Sequence, residues 1–229
     1  TLSDEKVYLI EGRLKSVARS ADCVCFSDLI DKARRSSDAT LKNEIIDAIT
    51  TSETLFFRDE SPFVALQEKI LPELIEAKSE TPSSNQLRIW SAACSTGQEP
   101  YSIAMILRES IPFIDAWDVK IMATDISEAS IAHAKRGVYQ DRDIKRGMNP
   151  EMLAKYFVQK PDGWQVRDTI KSMVSFRQID LTKPFVGMGR FDIVFCRNVA
   201  IYFSMQVKRS LFERIGDLLT DDGHLFVGS

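Results

Sequence analysis

The chain has 229 residues, 44% of them hydrophobic and 28% charged, enough to close a core without metal or disulfide staples. Its 33 acidic and 30 basic residues leave a formal charge of −3, which argues against a dedicated nucleic-acid binder. No stretch approaches the roughly 20 apolar residues that span a bilayer, so no membrane insertion is expected. The four cysteines, Cys23, Cys25, Cys94 and Cys196, and the two histidines, His133 and His224, match neither zinc spacing nor a disulfide framework. We expect no metal and a reducing, cytoplasmic setting. The chain begins at Thr1 with neither an initiator Met nor a signal-peptide pattern, and reads as trimmed at its start.

From Thr1 to about Arg58 apolar residues recur at helical spacing, as in Val7, Leu9, Ile10, Leu14 and Val17, and again in Leu41, Ile45, Ile46 and Ile49. This predicts a small helical region, with Thr40 capping one helix and Ser61 another that begins at Pro62. A polar, breaker-rich loop follows over 79–85. Short apolar runs then alternate with amphipathic helices: strand Leu87–Ala92, helix Pro100–Ser110, strand Val119–Thr124, helix Ser127–Arg136. After an interruption come strand Phe191–Cys196, a helix from about Ser204 to Thr220, and strand Leu225–Gly228. Such alternation predicts a parallel sheet covered by helices, with ligands outside the carboxyl ends of its strands. The interruption, from Tyr139 to Asp180, carries the turn signal Pro161-Asp162-Gly163 between β-rich runs, with Val174-Ser175-Phe176 following, and reads as a small antiparallel insertion.

The chemistry is expected at the strand ends. Residues 91–100, Ser-Ala-Ala-Cys-Ser-Thr-Gly-Gln-Glu-Pro, form a turn of small residues that lets a ligand approach the backbone, but without the three glycines of a dinucleotide site. The second strand ends in Thr124-Asp125. An acidic side chain there can accept hydrogen bonds from both ribose hydroxyls, or Asp125 or Ser127 can serve as a helix N-cap. A cofactor with a ribose and no pyrophosphate, such as S-adenosylmethionine, suits this pattern better than NAD.

Three longer stretches, Thr54-Leu55-Phe56-Phe57-Arg58, the run Trp90 to Ser102, and Phe195-Cys196-Arg197-Asn198-Val199-Ala200-Ile201-Tyr202-Phe203, together resemble the CheR family of chemotaxis receptor methyltransferases over essentially the whole chain. The resemblance implies an α/β protein: a small all-helical N-terminal domain over residues 1–60 and a linking helix and loop over 61–86. A Rossmann-like S-adenosylmethionine-dependent methyltransferase domain would occupy 87–229, short of the family's last strands, with an antiparallel β-subdomain inserted over 139–178. Carried over by motif, Ser52, Thr54, Arg58, Glu99, Asp125, Asp180, Leu181, Arg197 and Asn198 would hold the cofactor, and Arg58 and Tyr202 would stand beside the reacting methyl group. At Ser52 and Asp180 the family often has Asn.

The implied reaction forms a glutamate γ-methyl ester on the cytoplasmic helices of methyl-accepting chemotaxis receptors, leaving S-adenosylhomocysteine. A glutamate is already ionised at neutral pH, its reference pKa being about 4.3, so no general base is required and catalysis rests on alignment. The alternatives are transfer to another carboxylate or small molecule, or cofactor sensing without turnover. Arg13, Lys15 and Arg19 make a local basic bias, either a solvated face or, by resemblance, the surface that meets acidic receptor helices. The protein is expected to be monomeric. The resemblance implies that family members which grip a receptor tail do so through an edge of the insertion beside a glycine-rich loop. Here that loop is short, with only Gly163 and with Pro161 in it, which predicts recognition without a tether.

Overall fold

The computed structural model describes residues 4–36, 39–51, 53–79 and 85–228. Helices α1 (Asp4–Ser20), α2 (Phe26–Arg35) and α3 (Ala39–Ile49) open the chain and bury Leu14, Ala18, Leu29, Ala33 and Ile45 in a core of their own. Helix α3 begins ahead of Thr40, which therefore sits in its first turn instead of capping it. Helix α4 (Ser61–Ala65), a π-helical turn over Leu66–Ile70 and α5 (Leu71–Ser79) follow as consecutive segments. Pro62 lies in the first turn of α4, where a missing N–H costs nothing.

Five strands then build one parallel sheet in the order β6-β2-β1-β7-β8: β1 (Gln86–Ala92), β2 (Asp118–Asp125), β6 (Val174–Gln178), β7 (Phe191–Cys196) and β8 (Leu219–Val227). The crossovers are α6 (Gln98–Ser110), α7 (Glu128–Arg136) and α11 (Met205–Gly216). Period-2 alternation sorts β1 and β7 between two cores. Leu87, Ile89, Ile193 and Phe195 join the α6 side together with Phe56 and Phe63. Trp90, Ala92, Val194 and Cys196 join Leu211 and Ile215 of α11 on the other side. Strand β7 is buried along its whole length, and its Asp192 is accepted there because Lys78 of α5 pairs with it at 2.8 Å while the Arg88 amide donates to it at 2.7 Å. Asn43 of α3 fastens the N-terminal helices to this sheet, donating to Glu128 at 2.6 Å and accepting from Gln178 at 3.3 Å.

Between α7 and β6 lie β3 (Val138–Tyr139), α8 (Asp141–Lys145), α9 (Pro150–Tyr156), β4 (Phe157–Lys160), β5 (Gly163–Val166) and α10 (Asp168–Lys171). The three strands form a separate antiparallel sheet in the order β3-β5-β4, which leaves β4 on an edge. The expected extent of the insertion, 139–178, is corrected at its far end. Val174–Gln178 leaves the small sheet and pairs in parallel with β2, from Ile121↔Val174 to Asp125↔Gln178. As an edge strand it is half-exposed, so its residues lack the continuous apolar run of an interior parallel strand. The helix expected to run to Thr220 stops at Gly216, since Leu219 is drawn into the sheet opposite Phe191. A bulge intervenes before pairing resumes at His224.

Candidate active site at the strand ends

Strands β1 and β7 are adjacent, yet their crossovers leave in opposite directions along the sheet, to β2 and to β8. A crevice is expected outside the carboxyl ends at such a switch point. A cavity of about 430 Å³ lies there, lined in part by Thr54, Arg58, Glu99, Asp125, Asp180, Leu181, Arg197, Asn198 and Tyr202. These are nine of the ten residues expected to hold the cofactor or act beside it. Ser52 lies outside the described residues.

The floor is built from buried charges with several partners each. Asp125, at the end of β2, accepts from the Ser95 amide at 2.8 Å through one carboxylate oxygen and from the Ser127 amide at 2.9 Å through the other. It thus ties the β1 turn to the β2 turn while still lining the cavity. The N-cap of α7 is Ser127, which accepts from the Ser130 amide at 3.0 Å. Burial raises the pKa of Asp125 above the ordinary carboxylate value, and the backbone donors offset only part of that rise. Glu99 accepts from the Ser91 hydroxyl at 2.8 Å and from Arg197 at 3.0 Å. Its pKa is also raised, by burial first, against the opposing pull of Arg197.

Arg197 is the hub of the far wall. Besides Glu99 it donates to the Arg58 carbonyl at 2.7 Å and to Asp59 at 2.9 Å, and its guanidinium lies 5.5 Å from the Phe63 ring centroid. It thereby fixes the backbone of the segment that presents Arg58. The Arg58 side chain donates to the Glu53 carbonyl at 2.8 Å instead of forming a surface ion pair with its neighbour Asp59, which Arg197 has taken. Tyr202 ends a 3₁₀ turn, Ala200–Tyr202, and is 62% exposed.

Backbone conformation is unusual around this cavity. Of seven described non-glycine residues with left-handed φ, five cluster here: Ala93, Ser95 and Asn198 in its lining, Phe57 and Asp59 on either side of Arg58. Conformations of this kind persist where surrounding contacts over-determine them, and they concentrate at functional sites. Gly97, at φ 96°, starts α6 at a point where a Cβ would lie 2.8 Å from that of Ala134. The two cysteines nearby offer no nucleophile, because burial pushes the Cys94 thiol well up and that of Cys196 up to about 12. Among the described residues no cluster of His, Cys, Asp and Glu could hold a metal ion.

Residues 52–229 match the family described as CheR methyltransferase, SAM binding domain. The chain belongs to the CheR methyltransferases. Chemotaxis protein methyltransferase 1 of Pseudomonas aeruginosa is 41% identical to it over the whole chain and 83% of the relative's length. Chemotaxis protein methyltransferase Cher2 of Pseudomonas putida is 39% identical over the same shares. Chemotaxis protein methyltransferase of Borreliella burgdorferi is 38% identical over 99% of this chain and 81% of its own.

For a CheR methyltransferase the cofactor is S-adenosylmethionine, and the residues present fit it. The cavity falls within the roughly 300–1,000 Å³ usual for small-molecule sites. It offers carboxylates for the ribose and the cationic groups, and Arg58 and Arg197 for a carboxylate. The Nε of Arg197 is buried without a protein partner. Sequence reasoning missed Ile49, Thr50, Thr51 and Glu53 on one side of the cavity and Ile126, Ile179, Thr182 and Ile201 elsewhere in its lining. The first four stand beside the anticipated Ser52 and Thr54, so proximity was the one available signal. Arg13, Lys15 and Arg19 are exposed on α1 and do not line the cavity. Arg13 lies 3.4 Å from the Ile49 carbonyl and from the Thr51 hydroxyl, which brings α1 up behind the cavity wall.

Proposed function

We propose that this protein transfers the methyl group of S-adenosylmethionine to glutamate side chains on the cytoplasmic helices of chemotaxis receptors. The observation that carries the reading is the composition of one cavity. Buried Asp125 and the largely enclosed Glu99 line it together with Arg58 and the exposed Tyr202, the two donors suited to hold an incoming carboxylate.

The bound cofactor supplies an electrophilic methyl group on a sulfonium sulfur. The protein's part is to bind, orient and exclude water. Asp125 takes the ribose hydroxyls with the acceptor capacity its two backbone donors leave. Glu99 and Asp180 face the cationic portion, Leu181 gives an apolar wall, and Thr54 and Asn198 complete the polar lining. Arg58 offers a planar fork and Tyr202 a phenolic O–H to one acceptor carboxylate, fixing its approach. Holding reacting groups in line contributes on the order of 7–11 kcal/mol in well-oriented cases. Because the acceptor arrives ionised, no side chain needs to remove a proton. The raised pKa of Cys94 also keeps a competing thiolate out of the site.

The receptor approaches through the basic residues Arg13, Lys15 and Arg19; the exposure of all three on α1 and the proximity of Arg13 to the cavity wall support this role. Recognition is direct, without a tail tether: β4 and β5 are joined only by Pro161 and Asp162, and Gln140 and Trp164 fix the hairpin, donating to the Asp162 carbonyl and to Asp141 at 2.8 and 2.7 Å. The enzyme works as a cytoplasmic monomer. No helix among its described residues is long and apolar enough to cross a membrane.

The test is incubation with methyl-labelled S-adenosylmethionine and a receptor cytoplasmic fragment. Label released as methanol by mild base, and mapped to glutamate, is expected. Cofactor binding in calorimetry with no label on any receptor fragment would reduce the protein to a sensor, and base-stable label would assign another acceptor.

A further inference from the structure

Single exposed apolar residues on a surface need no explanation, but a group of them at the opening of a site does. The described residues include nine large apolar side chains that are exposed: Val24, Ile49, Val64, Phe113, Val186, Ile201, Tyr202, Met205 and Val227. Three of the nine, Ile49, Ile201 and Tyr202, line the cavity. Met205, 77% exposed, begins α11 three residues after Tyr202. Met205 is not part of the cavity lining, so a ligand held inside the cavity would leave it in water.

The geometry points to an apolar collar, formed by Ile49, Ile201 and Met205 around Tyr202, that seats the apolar side chains flanking the target glutamate on an amphipathic receptor helix. This rests on the reading of the protein as a receptor methyltransferase and adds the surface by which the acceptor is held. Ile49, Ile201 and Tyr202 line the site and Met205 follows Tyr202 by three residues, so an acceptor carboxylate that reaches Tyr202 brings its neighbours past this segment. The collar is made of side chains from the end of α3, a 3₁₀ turn and the start of α11, with no strand edge in it. An extended peptide would therefore find no main-chain ladder there, whereas a helix can present anchors at i, i+3 and i+4. The unbranched Met205 can adapt to different flanking side chains. In this division of labour α1 supplies charge and the collar supplies apolar contact.

Initial-rate kinetics on a receptor cytoplasmic fragment test it with Met205→Ser, Met205→Glu and Met205→Leu, each checked for an unchanged melting temperature. The KM for the fragment is expected to rise about fivefold with Ser, as for loss of a moderate interface anchor, and further with Glu, while Leu restores it. The maximal rate and the calorimetric affinity for S-adenosylmethionine are expected to stay within about twofold, since only acceptor binding is weakened. An unchanged KM in both the Ser and Glu variants would overturn the collar. So would wild-type self-association in sedimentation that Met205→Ser abolishes, since the patch would then belong to a second copy. Failure of the wild type to esterify the fragment at all would overturn the parent reading together with the collar, and it is seen before any variant is made.

Discussion

The floor and the rim of the cavity are made on opposite plans. On the floor, Asp125 and Glu99 are locked by backbone and side-chain donors, buried, and held at raised pKa values. On the rim, Tyr202 and Ile201 stand more than half exposed. Preorganised charge suits a small cofactor of fixed shape, because the ordering has been done before binding. An open rim suits a macromolecular acceptor that completes the site on arrival. Arg197 joins the two, holding Glu99 of the floor with one nitrogen and the Arg58–Asp59 segment of the rim with another.

Breaking that joint is expected to have the largest effect. Arg197→Ala leaves Glu99 buried without its cation, and removing one partner of a buried pair typically costs about 3–5 kcal/mol, to be read by denaturant unfolding at pH 7.5. The deficit should shrink as pH is lowered, because Glu99, whose pKa burial raises, takes up a proton and sheds the unpaired charge. A deficit independent of pH would detach Glu99 from the loss.

Next comes Asp125→Ala. Loss of a charge-assisted hydrogen bond is expected to weaken S-adenosylmethionine binding by about 1.5–3 kcal/mol in calorimetry. In the unaltered protein a milder version follows from pH alone. The raised pKa of Asp125 means that cofactor affinity starts to fall at a higher pH than the ordinary aspartate value of about 3.9 would give. The sign for stability is opposite. A carboxylate whose pKa is raised by folding binds its proton in the folded chain before the unfolded chain does, so acidification through that window costs no stability through Asp125 or Glu99. Affinity should therefore drop while Asp125 and Glu99 take nothing from the stability of the ligand-free chain, and Asp125→Asn should flatten the affinity profile.

The smallest effect is expected on α1, whose basic residues stand outside the cavity lining. Charge reversal at Arg13 and Arg19 should slow association with a receptor fragment in stopped flow, more at low salt than at 0.15 M, where the Debye length is about 8 Å. Salt-independent rates would return these residues to the role of a solvated helix face.

The floor was legible in the chain and the joint was not. Short apolar runs ending in small or acidic residues announce a parallel sheet and the place of Asp125, because strand direction fixes which end faces the crevice. The motif around Arg197 pointed to the site, but its partners Glu99 and Asp59 lie 98 and 138 residues away, and only the fold brings them together. Strand β6 was misassigned for a related reason. Val174-Ser175-Phe176 follows a hairpin and is half-exposed, so locally it reads as a third strand of that hairpin, whereas long-range pairing with β2 decides its sheet. Leu218 and Leu219 likewise continue the helical periodicity of α11 until pairing with Phe191 overrides it.

The contrast between floor and rim is tested most directly in Tyr202→Phe, which removes a single hydroxyl, by measuring cofactor affinity in calorimetry and methyl transfer in a single turnover at saturating cofactor. The account predicts transfer slowed about threefold to tenfold, the worth of one hydrogen bond, with affinity for S-adenosylmethionine unchanged. Affinity and rate falling together would contradict it, making Tyr202 part of the floor.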